Sequence, residues 1–150
     1  MATSANLELA FTSLPHPAPT PADARAAILA NPGFGSHFSD HMVQIDWDEG
    51  LGWHNATIGP RQPIPLDPAA AVLHYAQEIF EALKAYRQKD GGIALFRPEA
   101  NAARFNKSAE RLAMPELPEA LFIESVKQLV AADRDWFPSV EGGSLYLRPF

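Results

Sequence analysis

Hydrophobic and polar positions change period several times along the 150 residues. Residues 1–24 show no period. Pro15, Pro17, Pro19 and Pro21 stand at alternate positions and favour extended, polyproline-like backbone. Residues 7–11 carry enough apolar character for a short edge strand. Residues 22–29 are Ala-rich and predict a short helix, stopped by Asn31, Pro32 and Gly33. From His41 the pattern alternates. Val43, Ile45 and Trp47 share one side and Met42, Gln44 and Asp46 the other, which predicts a strand with one buried face. Asp48, Glu49 and Gly50 make a hairpin loop, and residues 52–58 form the return strand. Pro60, Pro63, Pro65 and Pro68 then exclude helix.

Val72, Tyr75, Ile79 and Leu83 fall near helical spacing, so the pattern predicts a helix over residues 69–82. A second hairpin follows, with strands at 83–87 and 93–97 around a turn through Asp90, Gly91 and Gly92. Pro98 opens a helix that ends near Ala113, with a core stripe of Phe105, Ala109 and Leu112. The next helix spans residues 118–133, with Phe122, Val126, Leu129 and Val130 facing in. Residues 144–150 form a last strand. Strands and helices are segregated and the strands are joined by tight turns, so the predicted fold is α+β, a largely antiparallel sheet with helices. That last strand is apolar and has no cap, turn or polar tail, so Phe150 reads as a cut rather than a natural end.

Composition narrows the class. The chain is 47% hydrophobic and 20% charged, the balance of a soluble globular domain. Its net charge of -6 argues against a nucleic-acid partner. No cysteine is present, which leaves no disulfide framework, zinc ribbon or thiol nucleophile. Nothing in the sequence reads as a secretory signal or membrane span, and a cytoplasmic protein is the expectation.

Generic catalytic motifs do not occur. The histidines at 16, 37, 41, 54 and 74 are scattered, and the 37/41 pair has no third ligand in view, so no metal site is expected. Tyr146 and Arg148 lie two apart on a strand and share a face, an arrangement suited to gripping a carboxylate; a solvated strand face with an ordinary ion pair fits the same spacing. Arg104, Lys107, Ser108 and Arg111 share one helical face, which could form an anion site but reads first as a solvated basic face, with Glu99 and Glu110 as acidic neighbours. Lys84 shares a strand face with Tyr86 and reads as structural rather than nucleophilic.

Four stretches, taken together, resemble the branched-chain amino acid aminotransferases. They are the run from Phe34 and Gly35 to Phe38, Ser39, Asp40, His41 and Met42; LHYAQEIFEALKAYR at residues 73–87; Phe96, Arg97 and Pro98 on to Arg104 and Ser108; and SLYLRPF at 144–150. They occur in the family's order and spacing from about residue 33 onward. The resemblance implies the small N-terminal domain of the fold type IV enzymes that depend on pyridoxal 5'-phosphate, here residues 33–150 behind an N-terminal arm of residues 1–32. It implies amino transfer between leucine, isoleucine or valine and 2-oxoglutarate, yielding glutamate.

By the same resemblance, Arg104 falls on the position that holds the cofactor phosphate. Tyr146 and Arg148 fall on the substrate-pocket pair, with Arg148 receiving the side-chain carboxylate of glutamate. Phe38 falls on the pocket wall. Tyr75 falls on a tyrosine lent to the neighbouring subunit, with Phe80 close by, so a homodimer with a shared pocket is implied. The family's cofactor lysine belongs to a large second domain that is absent here; Lys84 does not match it, and the fragment by itself is expected to be inactive. Ala82 stands where the family usually has Gly. Two other readings remain: an aminotransferase of the same fold acting on D-amino acids, and a dimerisation module without chemistry.

Overall fold

A computed structural model describes residues 9–140 and 142–150. Of the early edge strand expected over 7–11, residues 7 and 8 lie outside the described residues. Pairing is seen one step later, at β1 (Thr12–Ser13). The helix α1 (Ala22–Ala30) matches the Ala-rich stretch.

The first hairpin is as the alternation predicts: β2 (His41–Asp48) pairs antiparallel with β3 (Gly52–Pro60). Gly50 turns the loop with φ 91°, a conformation that suits glycine. Pairing slips by one residue between Gln44 and Asp46, and the extra residue lies on β3. Asn55 sits there with φ 51°, as expected of a bulge filled by a residue that tolerates left-handed backbone. Its side chain donates to Asp46 at 3.2 Å. Val43 and Ile45 are half-buried, but Trp47 is 43% exposed at the turn end of the hairpin. The inward face is therefore shorter than the alternation implies. β1 adds to β3 in parallel, giving the order β1-β3-β2.

The helix expected over 69–82 is the main correction. Only α2 (Ala71–Tyr75) is helical, and Ala76 ends it in the left-handed region with φ 49°. Beyond it the chain is extended. Ile79, Glu81, Leu83 and Ala85 are all buried at 7% exposure or less, while Phe80 and Lys84 point out. The true period is two. Apolar residues at 79 and 83 fit a helix as well as a strand, and Glu81 between them hid the alternation.

That extended segment enters β4 (Leu83–Arg87), the centre of a second antiparallel sheet between β5 (Ile93–Leu95) and β6 (Ser144–Leu147). The antiparallel α+β prediction holds, in two small sheets rather than one. β5 stops short of 97 because Arg97 takes φ 48° and turns the chain into α3 (Pro98–Arg111). Ala102, Phe105 and Ala109 are the buried stripe of α3. Leu112 lies past the helix end, where Ala113 has φ 53°, and is 38% exposed. α4 (Glu119–Ala132) buries Leu121, Phe122, Val126 and Val130, while Leu129 packs half-buried at the margin. Phe105 and Phe122 meet at 5.5 Å between ring centres. One apolar cluster joins β4, α3, α4 and Leu147, with Leu9, Phe11, Ile45 and Trp53 against its edge.

Two acids tie the N-terminal segment and β2 to the end of α4. Asp40 accepts from the Thr20 hydroxyl at 2.6 Å, the Thr20 amide and the Trp136 indole at 3.1 Å. Buried Asp133 holds His41 through the ring Nδ1 at 2.7 Å and the peptide N–H at 3.3 Å. Partial burial pushes the Asp40 carboxyl up, but its donors outweigh that and hold it below its ordinary 3.8. The stabilisation from this charge is complete above pH 3.8 and is lost as pH falls below it. Asp40→Asn should lower stability by about 1–2 kcal/mol at pH 7. The gap to the unsubstituted chain should close as the pH drops below 3.8. Thermal unfolding from pH 7 to pH 3 measures both, and a gap independent of pH would remove the charged-acceptor account.

Candidate functional site

Tyr146 on β6 and Arg148 just past its end lie on one side, as their spacing in extended chain requires. The Arg148 guanidinium donates to the Tyr146 hydroxyl from Nη2 at 2.7 Å and Nε at 3.2 Å. It also lies over the Phe80 ring, 4.6 Å from its centre. Phe80 reaches that position because the 79–82 segment is extended: Ile79 and Glu81 point into the core, and Phe80 points out between them. Phe34 closes the other flank, edge-on to Tyr146 at 5.2 Å. The result is an arginine cushioned by aromatic rings, with no acceptor on Nη1 among the described residues. Among the described residues no carboxylate pairs with it. A guanidinium so placed is suited to an incoming carboxylate, and the rings beside it to an aliphatic chain.

Next to this cluster a cleft of about 340 Å³ opens between β4, β6 and the start of α3, with Lys84, Tyr86, Phe96, Asn101 and Tyr146 on its walls. Lys84 is the cross-strand partner of Tyr146 and is exposed. A smaller hollow of about 140 Å³ adjoins it, bounded by Phe96, Arg97, Asn101 and Arg104.

Arg104 is not a free surface cation. Its Nε and Nη2 donate to the two oxygens of Glu81 at 2.6 and 2.9 Å. Glu81 is 5% exposed and also accepts from Asn101 Nδ2 at 2.6 Å. Burial pushes the Glu81 carboxyl up, yet the Arg104 and Asn101 hydrogen bonds and the Arg104 charge hold it below its ordinary value. Hydrogen bonding to Glu81, followed by its charge, raises Arg104 in turn. The Arg104 side chain remains 65% exposed, so its outer edge meets solvent. Of the neighbours on its helical face, Lys107 and Arg111 are exposed and Ser108 donates back to the Arg104 carbonyl at 3.1 Å.

The structure thus brings Phe80, Tyr146 and Arg148 into one cluster and joins Arg104 to it through the residue after Phe80. Phe38 is elsewhere: it is 62% exposed, with the Arg61 guanidinium 4.9 Å from its ring centre. Tyr75 is 82% exposed beside His74. Phe34, Glu81 and Asn101 were not among the expected site residues. The signal for Glu81 was present as an acid at alternate spacing between Ile79, Leu83 and Ala85. Ala82 has no positive φ, and its carbonyl accepts from Asn101 at 3.1 Å.

The sequence matches no family model. Among curated relatives it is 59% identical over 143 residues to the branched-chain-amino-acid aminotransferase of Mycolicibacterium smegmatis, covering 95% of this chain and 39% of that protein. It is 64% identical over 127 residues to the probable branched-chain-amino-acid aminotransferase of Streptomyces coelicolor, covering 84% and 35%. It is 51% identical over 118 residues to branched-chain-amino-acid transaminase 1 of Bacillus subtilis, covering 79% and 33%. The chain therefore spans little more than a third of the length of these relatives. With identities of 51–64% over most of its residues, it belongs to the branched-chain-amino-acid aminotransferase family and corresponds to the N-terminal part of its members.

Proposed function

We propose that this chain is the small domain of a branched-chain amino acid aminotransferase that uses pyridoxal 5'-phosphate. In this reading residues 1–32 are an arm, residues 33–150 adopt the small-domain fold of the fold type IV enzymes, and the protein works in the cytoplasm. The observation that carries it is the Arg148 cluster: one guanidinium among Phe34, Phe80 and Tyr146 that has no acid partner among the described residues. Leucine, isoleucine or valine would use the aromatic walls. Glutamate, the other amino donor, would bring its side-chain carboxylate to Arg148. One site serves both because a guanidinium lying on a ring offers an apolar face and a polar edge at once.

The residues fit one end of the cofactor. Arg104 keeps its outer N–H groups beside the hollow it shares with Arg97 and Asn101, a donor set suited to phosphate. When bound, pyridoxal phosphate carries the amino group between the two substrates. The lysine that would hold it covalently is assigned to a domain outside these residues, and Lys84 stays a cross-strand neighbour of Tyr146. Tyr75, 82% exposed, is free to complete the pocket of a second subunit in a homodimer. Phe38, equally free of the cluster, would form a wall only once the remaining parts of the pocket are assembled.

Two outcomes test this reading. The 150-residue chain with pyridoxal phosphate, leucine and 2-oxoglutarate should form no glutamate above the rate given by the cofactor alone. Turnover above that background would overturn the division of labour. In the full-length enzyme, Arg148→Ala should cut kcat/KM for glutamate roughly ten- to a hundredfold, as loss of a charge-assisted bond requires. Leucine should lose far less, because it brings no second carboxylate. Equal losses would make Arg148 structural.

A further inference from the structure

Arg104 lies 23 positions after Glu81 in the chain, and the two are joined by a fork geometry that leaves a defined part of the guanidinium unused. An arginine has five N–H donors in one plane. Two of them, on Nε and Nη2, go to the Glu81 oxygens. The Nη1 pair and the second Nη2 hydrogen lie along the far edge, on a side chain 65% exposed. Asn101, one turn earlier on the same face of α3, spans from the Glu81 carboxylate to the Ala82 carbonyl and fixes the acid from the other side. The Glu81 peptide N–H donates to the Pro149 carbonyl at 2.8 Å, next to Arg148. The preceding residue, Phe80, carries the Arg148 guanidinium on its ring.

We propose that Glu81 is a positioning residue: it holds one edge of Arg104 so that the other edge is set for the cofactor phosphate, and its backbone ties that anchor to the Arg148 arm of the substrate pocket. This rests on the reading of Arg104 as the phosphate anchor. Glu81 also withdraws part of the attraction that Arg104 has for an anion. What it gives in return is a long side chain already fixed in one orientation, so that less freedom is lost when the phosphate arrives. A phosphate dianion is still drawn to the far edge, whereas a single carboxylate already satisfies the near one.

The test compares pyridoxal phosphate with pyridoxal, which has the same ring and no phosphate, by equilibrium binding to the full-length apoenzyme. Glu81→Gln keeps the size of the side chain and removes its charge. It should weaken pyridoxal phosphate roughly tenfold and leave pyridoxal within about twofold, and Glu81→Asp should recover part of the loss. If Glu81→Gln weakens both ligands alike, Glu81 is structural and the proposal is overturned while Arg104 keeps its role. If Arg104→Ala leaves the preference for the phosphorylated ligand intact, the anchor reading falls and takes this proposal with it. Should Glu81→Gln fail to fold, the arginine Nε–Hε resonance of Arg104 decides in the unsubstituted protein under titration with inorganic phosphate. An Nε–Hε signal that stays protected while the Nη groups respond supports the two-edged arrangement. Exchange of that proton with solvent on binding overturns it.

Discussion

Glu81 is a carboxylate that folding removes almost completely from water, and a charge so placed is tolerated only with donors on its lone pairs. Three N–H groups supply them, two from Arg104 and one from Asn101. Both residues stand on α3, so satisfying one acid fixes the rotation of that helix against β4. The peptide N–H of the same residue meets the carbonyl of Pro149, which fixes the end of β6 against the start of β4. Sheet, helix and terminal strand are therefore registered around a single side chain and its own amide. An apolar residue at 81 would pack, but it would set neither the angle of α3 nor the conformation of Arg104.

The two arginines of the site differ because of this constraint. Arg104 has half its fork committed to a buried acid and is held as a fixed donor. Arg148 has a phenol hydroxyl and two aromatic faces but no acid among the described residues. A hydroxyl and a ring orient a guanidinium without neutralising it. On the proposed reading each suits its task. The phosphate end of a resident cofactor calls for a fixed anchor, and a pocket that alternates between glutamate and leucine calls for a charge that can be engaged or left aside.

Most of the elements were legible because their patterns are local. The first hairpin followed from alternation and Gly50, the second from Asp90, Gly91 and Gly92, and both long helices from prolines before them and apolar stripes within them. The errors share one cause. Over 69–82 the spacing of Val72, Tyr75, Ile79 and Leu83 satisfies a helix, and only the tertiary partner of Glu81 reveals that the segment is extended. A buried acid looks like a surface residue until its arginine is known, and that arginine is 23 positions away. Trp47 and Leu112 were misjudged in the same way, since whether the last residue of an apolar stripe is covered depends on what lies beyond the element's end. At the site, strand spacing put Tyr146 and Arg148 on one face but fitted a solvated ion pair as well, and only the family resemblance singled them out. Phe80 needed the correct local conformation before it could be placed beneath Arg148.

The same extended segment explains why the proposed substrate arm is only half a pocket. Because alternate side chains at 79–85 go inward, the outward ones, Phe80, Lys84 and Tyr86, are left on an open face with exposed Phe34 and Phe96 beside it. Aromatic surface on this scale marks a place where something else packs. A two-sided cleft also cannot exclude water from a reacting amine, so the arrangement has chemical use only when another body closes over it. With the relatives more than twice as long as this chain, the proposed large domain and second subunit are the bodies of the right kind. The chain then contributes two arginines held in different ways, Arg104 on α3 braced by a buried acid and Arg148 just past β6 resting on a ring.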